Sequence, residues 1–341
     1  MVRRGRTSIV REVKEALDAI DRIGHSKKLA REKGEHAIHS IKQKKNTMSD
    51  AQNFAKWVRA EHGIKSLSDL EEKHYQKYMA HLNEKGLSNG HMRNVETSLR
   101  LLQEGFKKRA ERFGGAIERF KEFCPEKRTV SYKISENIQN RAYTVQEIDA
   151  IRQNCSSEVQ KAVDLMYGLG LRVKEAANVL ASHFYEDKNG WHLQINKGTG
   201  ITKGGRFREV TVSNEFKVRL VSLLHEKAPN EKLIKVSTTT IRDGINMACK
   251  KAGVEQAGRG THGFRHAYAR KRAEQLMTSI EHNMLERILS NREVGRKADY
   301  SINSEKDKLL FASTRDKMNI IHIELGHGAN RWELAMRYLK N

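Results

Sequence analysis

Apolar residues recur at helical spacing through most of the chain. In residues 8–24 they form one stripe, which predicts an amphipathic helix that needs a partner surface. The stripe consists of Ile9, Val10, Val13, Leu17, Ile20 and Ile23. Residues 25–45 are almost all polar. This pattern fits a solvated helix face and contact with DNA backbone equally well. Residues 46–112 then predict a compact helical domain, in which Gly86 breaks the pattern and Ser88 caps the next helix.

Two short segments alternate with period two instead, which predicts strands. Trp191, Leu193 and Ile195 belong to the first segment, and Arg208, Val210 and Val212 to the second. A glycine-rich stretch connects them, as expected for an antiparallel hairpin with a mobile turn. Residues 158–180 predict helices around a Gly-Leu-Gly break, and about 266–290 predict one long charged helix. The fold class is therefore mainly α with a small antiparallel β-sheet.

The same patterns predict the domain organisation. Residues 1–43 are a basic N-terminal extension with the amphipathic helix, and residues 44–125 are a helical domain. Residues 126–140 are a linker. A second domain spans 141–341. Near its start, Thr144 and Glu147 match the capping-box pattern of a helix beginning.

Composition adds the class of partner. The chain has 64 Lys and Arg against 42 Asp and Glu, a net charge of +22, which favours a polyanion such as nucleic acid. Charge alone does not separate this from another basic housekeeping protein. The three cysteines are scattered without a C-x-x-C motif, so neither a disulfide framework nor a zinc site is predicted. Apolar runs of transmembrane length and a signal-peptide core are also missing, which predicts a cytoplasmic, nucleoid-associated protein without membrane contact.

Candidate chemistry lies in the second half of the chain. Two arginines, a lysine and two histidines could hold and protonate a phosphodiester there, and a tyrosine could attack it. In chain order these residues are Arg172, Lys203, His262, Arg265, His327 and Tyr338. Glu175 is placed to orient Arg172. Lys197 also precedes a glycine and competes with Lys203 for the lysine role.

The surrounding strings resemble the tyrosine recombinase, or phage integrase, family over roughly residues 45 to 341. Arg172 and Glu175 match its G-L-R-x-x-E motif, and Lys203 in KGGRFREV matches its hairpin lysine. The family's H-x-x-R is His262-Gly263-Phe264-Arg265, its L-G-H ends at His327, and Tyr338 stands where its nucleophile stands. The resemblance implies a SAM-like core-binding domain at 44–125 and a catalytic domain after it.

The resemblance also implies a site-specific DNA recombinase of a mobile element, acting in integration or excision. Tyr338 would attack a scissile phosphate and form a 3′-phosphotyrosyl bond. Arg172 and Arg265 would clamp the non-bridging oxygens, His262 and His327 would add hydrogen bonds, and Lys203 would protonate the leaving 5′ oxygen. No metal, ATP or other cofactor is expected. The implied partners are double-stranded DNA, a homo-tetramer on two DNA sites, and accessory DNA-bending or directionality factors.

Two departures from the family pattern stand out. Sixty-one residues separate Arg265 from His327, which is longer than the family's usual link and implies an insertion at about 275–312 in the catalytic domain. The insertion contains a competing tyrosine, Tyr300, without the L-G-H context. Few residues follow Tyr338, so we expect contacts between protomers to come from the N-terminal helix or from the insertion. Two alternatives stay open: a type IB topoisomerase, which shares the catalytic set, and a non-catalytic architectural DNA-binding protein.

Overall fold

The computed structural model describes residues 8–112, 120–131 and 140–340 of the chain. They form two compact units, one within residues 1–134 and one within 135–341. Both are mainly helical, and the second contains a three-stranded antiparallel sheet, so the predicted fold class is confirmed. Among the described residues, no helix has the length and apolar character needed to cross a membrane.

Five helices make up the described part of the first unit. They are α1 Ile9–Ala19, α2 Lys27–Glu32, α3 Ile41–His62, α4 Glu72–Glu84 and α5 Asn89–Arg112. Polar caps begin several of them. The Ser88 hydroxyl accepts the His91 backbone N–H at 3.3 Å, as predicted for the start of α5. Helix α3 ends at Gly63 in the left-handed conformation that favours glycine.

The partner of the N-terminal stripe lies within the same unit. Val13 and Leu17 are fully buried, and α1 packs between α3 and α5 in one hydrophobic core. Glu15 and Arg109 add an ion pair between α1 and α5. The stripe therefore has its partner surface within its own unit, and the origin of contacts between protomers stays a prediction.

The chain after α5 also packs on the first unit where it is described. Phe123 and Val130 are buried in its core, and the Thr129 hydroxyl lies 2.7 Å from that of Tyr75. Part of the predicted linker, residues 126–131, thus lies against the helical unit, while 132–139 fall outside the described residues. The domain boundaries proposed from sequence stay a prediction.

The second unit contains the remaining helices. They are α6 Val145–Gln153, α7 Ser157–Gly168, α8 Val173–Ala176, α9 Asn214–Leu224, α10 Thr238–Lys251, α11 His262–Leu276, α12 Ser279–Glu293, α13 Glu305–Glu324 and α14 Trp332–Leu339. Helix α6 begins with the predicted capping box, in which the Thr144 side chain accepts the Glu147 N–H and the Glu147 carboxylate accepts the Thr144 N–H. One hydrophobic core joins α7, α10 and α11 beneath the sheet.

The sheet has the order β1-β2-β3, with β1 Phe184–Asp187, β2 Gly190–Ile195 and β3 Arg208–Thr211. The predicted hairpin is β2–β3, where Leu193 pairs with Val210. Strand β1 was missed, although a sequence signal existed: Asn189 and Gly190 mark a tight turn directly after it. Gly190 has a positive φ of 112°, which fits that turn.

The insertion contains helix α12 and the start of α13, with a polar connection at residues 294–304. The single helix predicted at about 266–290 is wrong, since α11 ends at Leu276 and α12 begins at Ser279. Thr278 causes the break by forming a capping box with Glu281. Beyond α12 the chain returns as α13, and Met284 and Ile288 are buried beside Phe311 and Trp332 in a small separate core.

The close approach of α1 and α5 gives a stability prediction. A Cβ added at Gly105 would lie 2.3 Å from the Ala16 carbonyl oxygen, so the two backbones must separate. We expect Gly105→Ala to lower the free energy of unfolding of the first unit by about 1–3 kcal/mol. Hydrogen–deuterium exchange of α1 and α5 peptides measures this locally.

Gly90→Ala is the matched control on the same helix, because its Cβ meets nothing within 4 Å. It should leave exchange unchanged or slow it slightly, since alanine favours a helix by up to about 1 kcal/mol over glycine. Equal exchange in both variants would show that the α1–α5 contact does not limit stability.

Candidate active site

Arg172 is held by its own helix start. It is the N-cap of α8, its backbone N–H donates to Glu175 Oε2 at 2.8 Å, and its Nη1 donates to Glu175 Oε1 at 2.7 Å. Gly170, two residues earlier, has a φ of +60° and would place a Cβ 2.4 Å from the Tyr268 ring. Only glycine fits this turn, which delivers Arg172 to the site.

Arg208 on β3 is a site residue that the sequence reasoning used only as part of a motif. It is 1% exposed and donates to the Glu175 carboxylate. Its Nη2 donates to the carbonyl oxygens of Leu169 and Gly170 at 2.9 Å, and its Nε to that of Glu324 at 2.7 Å. These carbonyls follow α7 and end α13, where the helix dipole favours a cation.

Glu175 therefore bridges two arginines from inside the unit. It is fully buried, and burial alone would raise its pKa. The charges of Arg208, Arg172 and Arg265 outweigh that effect, so the pKa of Glu175 lies below its ordinary value. An ionised Glu175 fixes Arg172 through two hydrogen bonds, as predicted for an orienting carboxylate.

Arg265 connects several of the sequence-predicted residues. It is 1% exposed on α11 and donates to the carbonyl oxygens of Gly170 and Leu325. Its Nη2 lies 3.3 Å from His327 Nε2, and its Nε lies 3.4 Å from Tyr338 Oη. Burial, followed by the charges of Arg208 and Arg172, lowers the pKa of Arg265 to about 9, which leaves it charged at neutral pH.

Both predicted histidines are neutral at pH 7. His262 begins α11 with an exposed side chain, and partial desolvation, together with the charges of Arg265 and Arg172, lowers its pKa. The same causes lower the pKa of His327 to about 2. Because His327 Nε2 faces an Arg265 donor, the ring proton belongs on Nδ1, which is buried and has no partner among the described residues.

Tyr338 is almost buried, at 7% exposure, and its ring lies between two histidines. The His266 ring stacks on it at a centroid distance of 4.2 Å and an interplanar angle of 19°. The His327 ring lies at 5.4 Å with a tilt of 52°. Nothing in the sequence spacing of His266 marks this stack.

Tyr300 lies in a different environment. It is 49% exposed, and the Arg296 guanidinium covers its ring at 4.5 Å. The Asn291 side chain donates to its backbone carbonyl at 2.9 Å. Of the two tyrosines weighed from sequence, Tyr338 is the one with a hydrogen bond to Arg265.

The hairpin lysines are not brought into this cluster. Lys203 begins a 3-10 turn, Lys203–Gly205, between β2 and β3, and both Lys203 and Lys197 are exposed. Neither makes a hydrogen bond or ion pair with any residue that the structure describes. The backbone N–H of Gly198 donates to the Gly205 carbonyl at 2.8 Å, which closes the loop that carries both. The choice between these two lysines therefore stays open.

The insertion holds the helix that carries Tyr338. Helix α14 packs on α11 and α12, and the Trp332 and Phe311 rings lie 5.9 Å apart. The Asn330 N–H donates to Asn319 Oδ1 at 2.8 Å just before α14, and Lys340 pairs with Glu293 just after it. Contacts at both ends and along one side fix the tyrosine next to Arg265.

The arrangement is suited to an anionic reacting group. Arg265 contacts both the Tyr338 phenol and the neutral His327. Glu175 is the carboxylate that binds Arg172 and Arg208. The exposed His262 begins the helix that carries Arg265. Fixed cations of this kind stabilise charge that develops on a transferred phosphoryl group.

Known proteins resemble the chain in sequence and in fold. Residues 129–271, which include Arg172, Lys203, His262 and Arg265, match the sequence model of the family described as Integrase. No curated protein sequence matches the chain significantly. Among solved structures, the XerH site-specific recombinase bound to palindromic difH substrate, a post-cleavage complex, shares 15% identity at a TM-score of 0.52. That match covers 89% of this chain and 90% of the other.

XerH bound to difH substrate in a pre-cleavage complex gives a similar result. The identity is 14%, the TM-score is 0.51, and the match covers 89% of this chain and 94% of the other. At such low identities the structural matches show a shared fold only. The family match shows a similarity in sequence over residues 129–271. Residues 129–271 thus resemble the integrase family in sequence, and the chain has the fold of the XerH site-specific recombinase.

Proposed function

We propose that Tyr338 cleaves one DNA strand and forms a 3′-phosphotyrosyl bond. The observation that carries this proposal is the position of Tyr338 Oη, 3.4 Å from Arg265 Nε in a pocket with Arg172 and His327. The phenolic oxygen bonds to phosphorus as the bond to the 5′ oxygen breaks, and that oxygen receives a proton. The 5′ hydroxyl of a second strand reverses the step, so the bond energy is kept and no ATP is consumed.

The charge of each of the other residues determines its role in this reaction. Arg172 and Arg265 stabilise the phosphorane-like transition state, and both are held rigidly, Arg172 by Glu175 and Arg265 by backbone carbonyls. His262 is neutral and therefore able to accept the phenolic proton. His327 adds a hydrogen bond, and Lys203 delivers the proton to the leaving oxygen when the hairpin closes on DNA.

The partner in this proposal is double-stranded DNA. The net charge of +22 supports a phosphate-dominated interface, and the XerH structures named above contain its difH substrate. Following the family resemblance, the active assembly is a homo-tetramer on two DNA sites in the cytoplasm. It recombines sites to integrate or excise a mobile element, with accessory DNA-bending or directionality factors as further partners.

The covalent step is tested with a nicked suicide substrate made from the DNA site that a footprint identifies beside the gene. Tyr338→Phe should abolish the covalent protein–DNA adduct, because the attacking oxygen is gone. DNA affinity should stay nearly unchanged, since one hydroxyl contributes little to a phosphate-dominated interface. Denaturing gels measure the adduct, and gel shifts measure binding.

Tyr300→Phe is the matched control and should form the adduct at the wild-type rate. An adduct that persists in Tyr338→Phe and is lost in Tyr300→Phe would reverse the assignment. Binding without any adduct in the wild-type chain would favour an architectural protein. Relaxation of plasmids that lack the site would favour a topoisomerase.

The pH dependence tests His262. Its pKa lies below the ordinary 6.5, so the neutral base persists at pH 7 and is lost only as the pH falls through that lowered value. We therefore expect the single-turnover cleavage rate to be flat near neutrality and to fall on the acid side. His262→Asn should slow cleavage by about a hundredfold and remove that acid limb. An acid limb that survives in His262→Asn would exclude it as the base.

The leaving-group acid is tested with a 5′-bridging phosphorothiolate, whose sulfur departs without needing a proton. Lys203→Ala should slow cleavage of ordinary DNA by about a hundredfold or more and recover on the sulfur substrate. Lys197→Ala is the matched control from the same loop and should behave like wild type on both substrates. Sulfur rescue of Lys197→Ala alone would assign the role to Lys197.

A further inference from the structure

His266 contacts the proposed nucleophile directly but has no part in the mechanism above. It follows Arg265 on α11, is 3% exposed, and stacks on the Tyr338 ring at 4.2 Å. An interplanar angle of 19° makes the two rings nearly parallel. Ring contacts this close stabilise a pair beyond the area they bury.

The geometry separates a positioning role from a chemical one. The nitrogen lone pair and N–H of an imidazole lie in the plane of its ring. In a near-parallel stack these atoms point to the side of the pair rather than at the hydroxyl of the stacked phenol. His266 therefore offers Tyr338 a flat face and not a proton acceptor.

The rest of the site supports the same division. His266 has charged neighbours in Arg265 and Arg270, and burial, followed by the charges of Arg141 and these two arginines, lowers its pKa to about 3. A protonated His266 would add to the repulsion among the arginines, whereas a neutral imidazole ring does not. The His327 ring meets the Tyr338 ring only at a tilt of 52°, so of these two histidines His266 is the one that stacks flat on it.

We infer that His266 is a positioning residue that sets the plane of the Tyr338 ring, so that the hydroxyl lies at Arg265 Nε. The inference rests on the proposed function, in which Tyr338 is the nucleophile. Helix α14 fixes the backbone of Tyr338, but the ring can still turn about its own side-chain bonds. A displacement of about 1 Å in a reacting group can cost on the order of a hundredfold in rate.

The experiment compares a flat replacement with a non-flat one of similar volume. His266→Phe keeps a flat aromatic ring against Tyr338 and should cleave the nicked substrate within about threefold of the wild-type rate. His266→Leu fills the space without a flat face and should be slower by about tenfold to a hundredfold at saturating protein. Half-site affinity should be the same in both, because neither change removes a DNA contact. Single-turnover gels and gel shifts provide these values.

Ile245→Ala controls for a general loss of packing. Ile245 is fully buried on α10 in the same core, so this variant should lower the melting temperature without slowing cleavage below it. His266→Phe as slow as His266→Leu would mean that a ring nitrogen is needed, which overturns the inference. A wild-type rate in His266→Leu, or equal slowing in Ile245→Ala, would overturn it as well.

The experiments distinguish a failure of the proposed function from a failure of the positioning role of His266. If the nucleophile is misassigned, Tyr338→Phe still forms the adduct, whatever the His266 variants do. If only the positioning role is wrong, Tyr338→Phe loses the adduct while His266→Leu cleaves like wild type.

Discussion

The bridge from Glu175 to Arg172 and Arg208 is the interaction on which the rest of the site depends. One buried carboxylate compensates a fully buried arginine and orients a half-buried one. Removing one partner of a buried pair leaves an uncompensated charge, which typically costs about 3–5 kcal/mol. Because Arg208 also binds the carbonyl oxygens of Leu169, Gly170 and Glu324, this bridge joins β3, the turn before α8 and the end of α13.

Two helix ends make the burial of arginines possible. The carbonyls after α7 and at the end of α13 accept hydrogen bonds from both Arg208 and Arg265, where backbone dipoles already favour positive charge. The insertion supports the candidate active site indirectly. It leads into α13, and it packs against Trp332 on α14. A segment that lengthens the link between Arg265 and His327 thus also supports the helix that carries Tyr338.

Local signals were predictable from the sequence, and contacts between distant residues were not. The Thr144–Glu147 capping box and the β2–β3 alternation depend on residues a few positions apart. The Arg208–Glu324 bond joins residues 116 positions apart, so no local pattern marks Arg208 as central. The motif order indicated the candidate residues, and the fold brings Arg265, His327 and Tyr338 of that set into contact.

The candidate active site carries more positive than negative charge. Arg172, Arg208 and Arg265 share Glu175, while the Glu324 carboxylate is occupied by Arg272 and the Tyr268 hydroxyl. Neutral histidines keep this excess from growing, because desolvation and the arginines oppose their protonation. In the proposed function a phosphodiester supplies the missing negative charge. Arg172 is the arginine that it can reach from solvent, since 20% of the Arg172 side chain is exposed against 1% for Arg208. A phosphate bound there would reduce the repulsion among the three arginines.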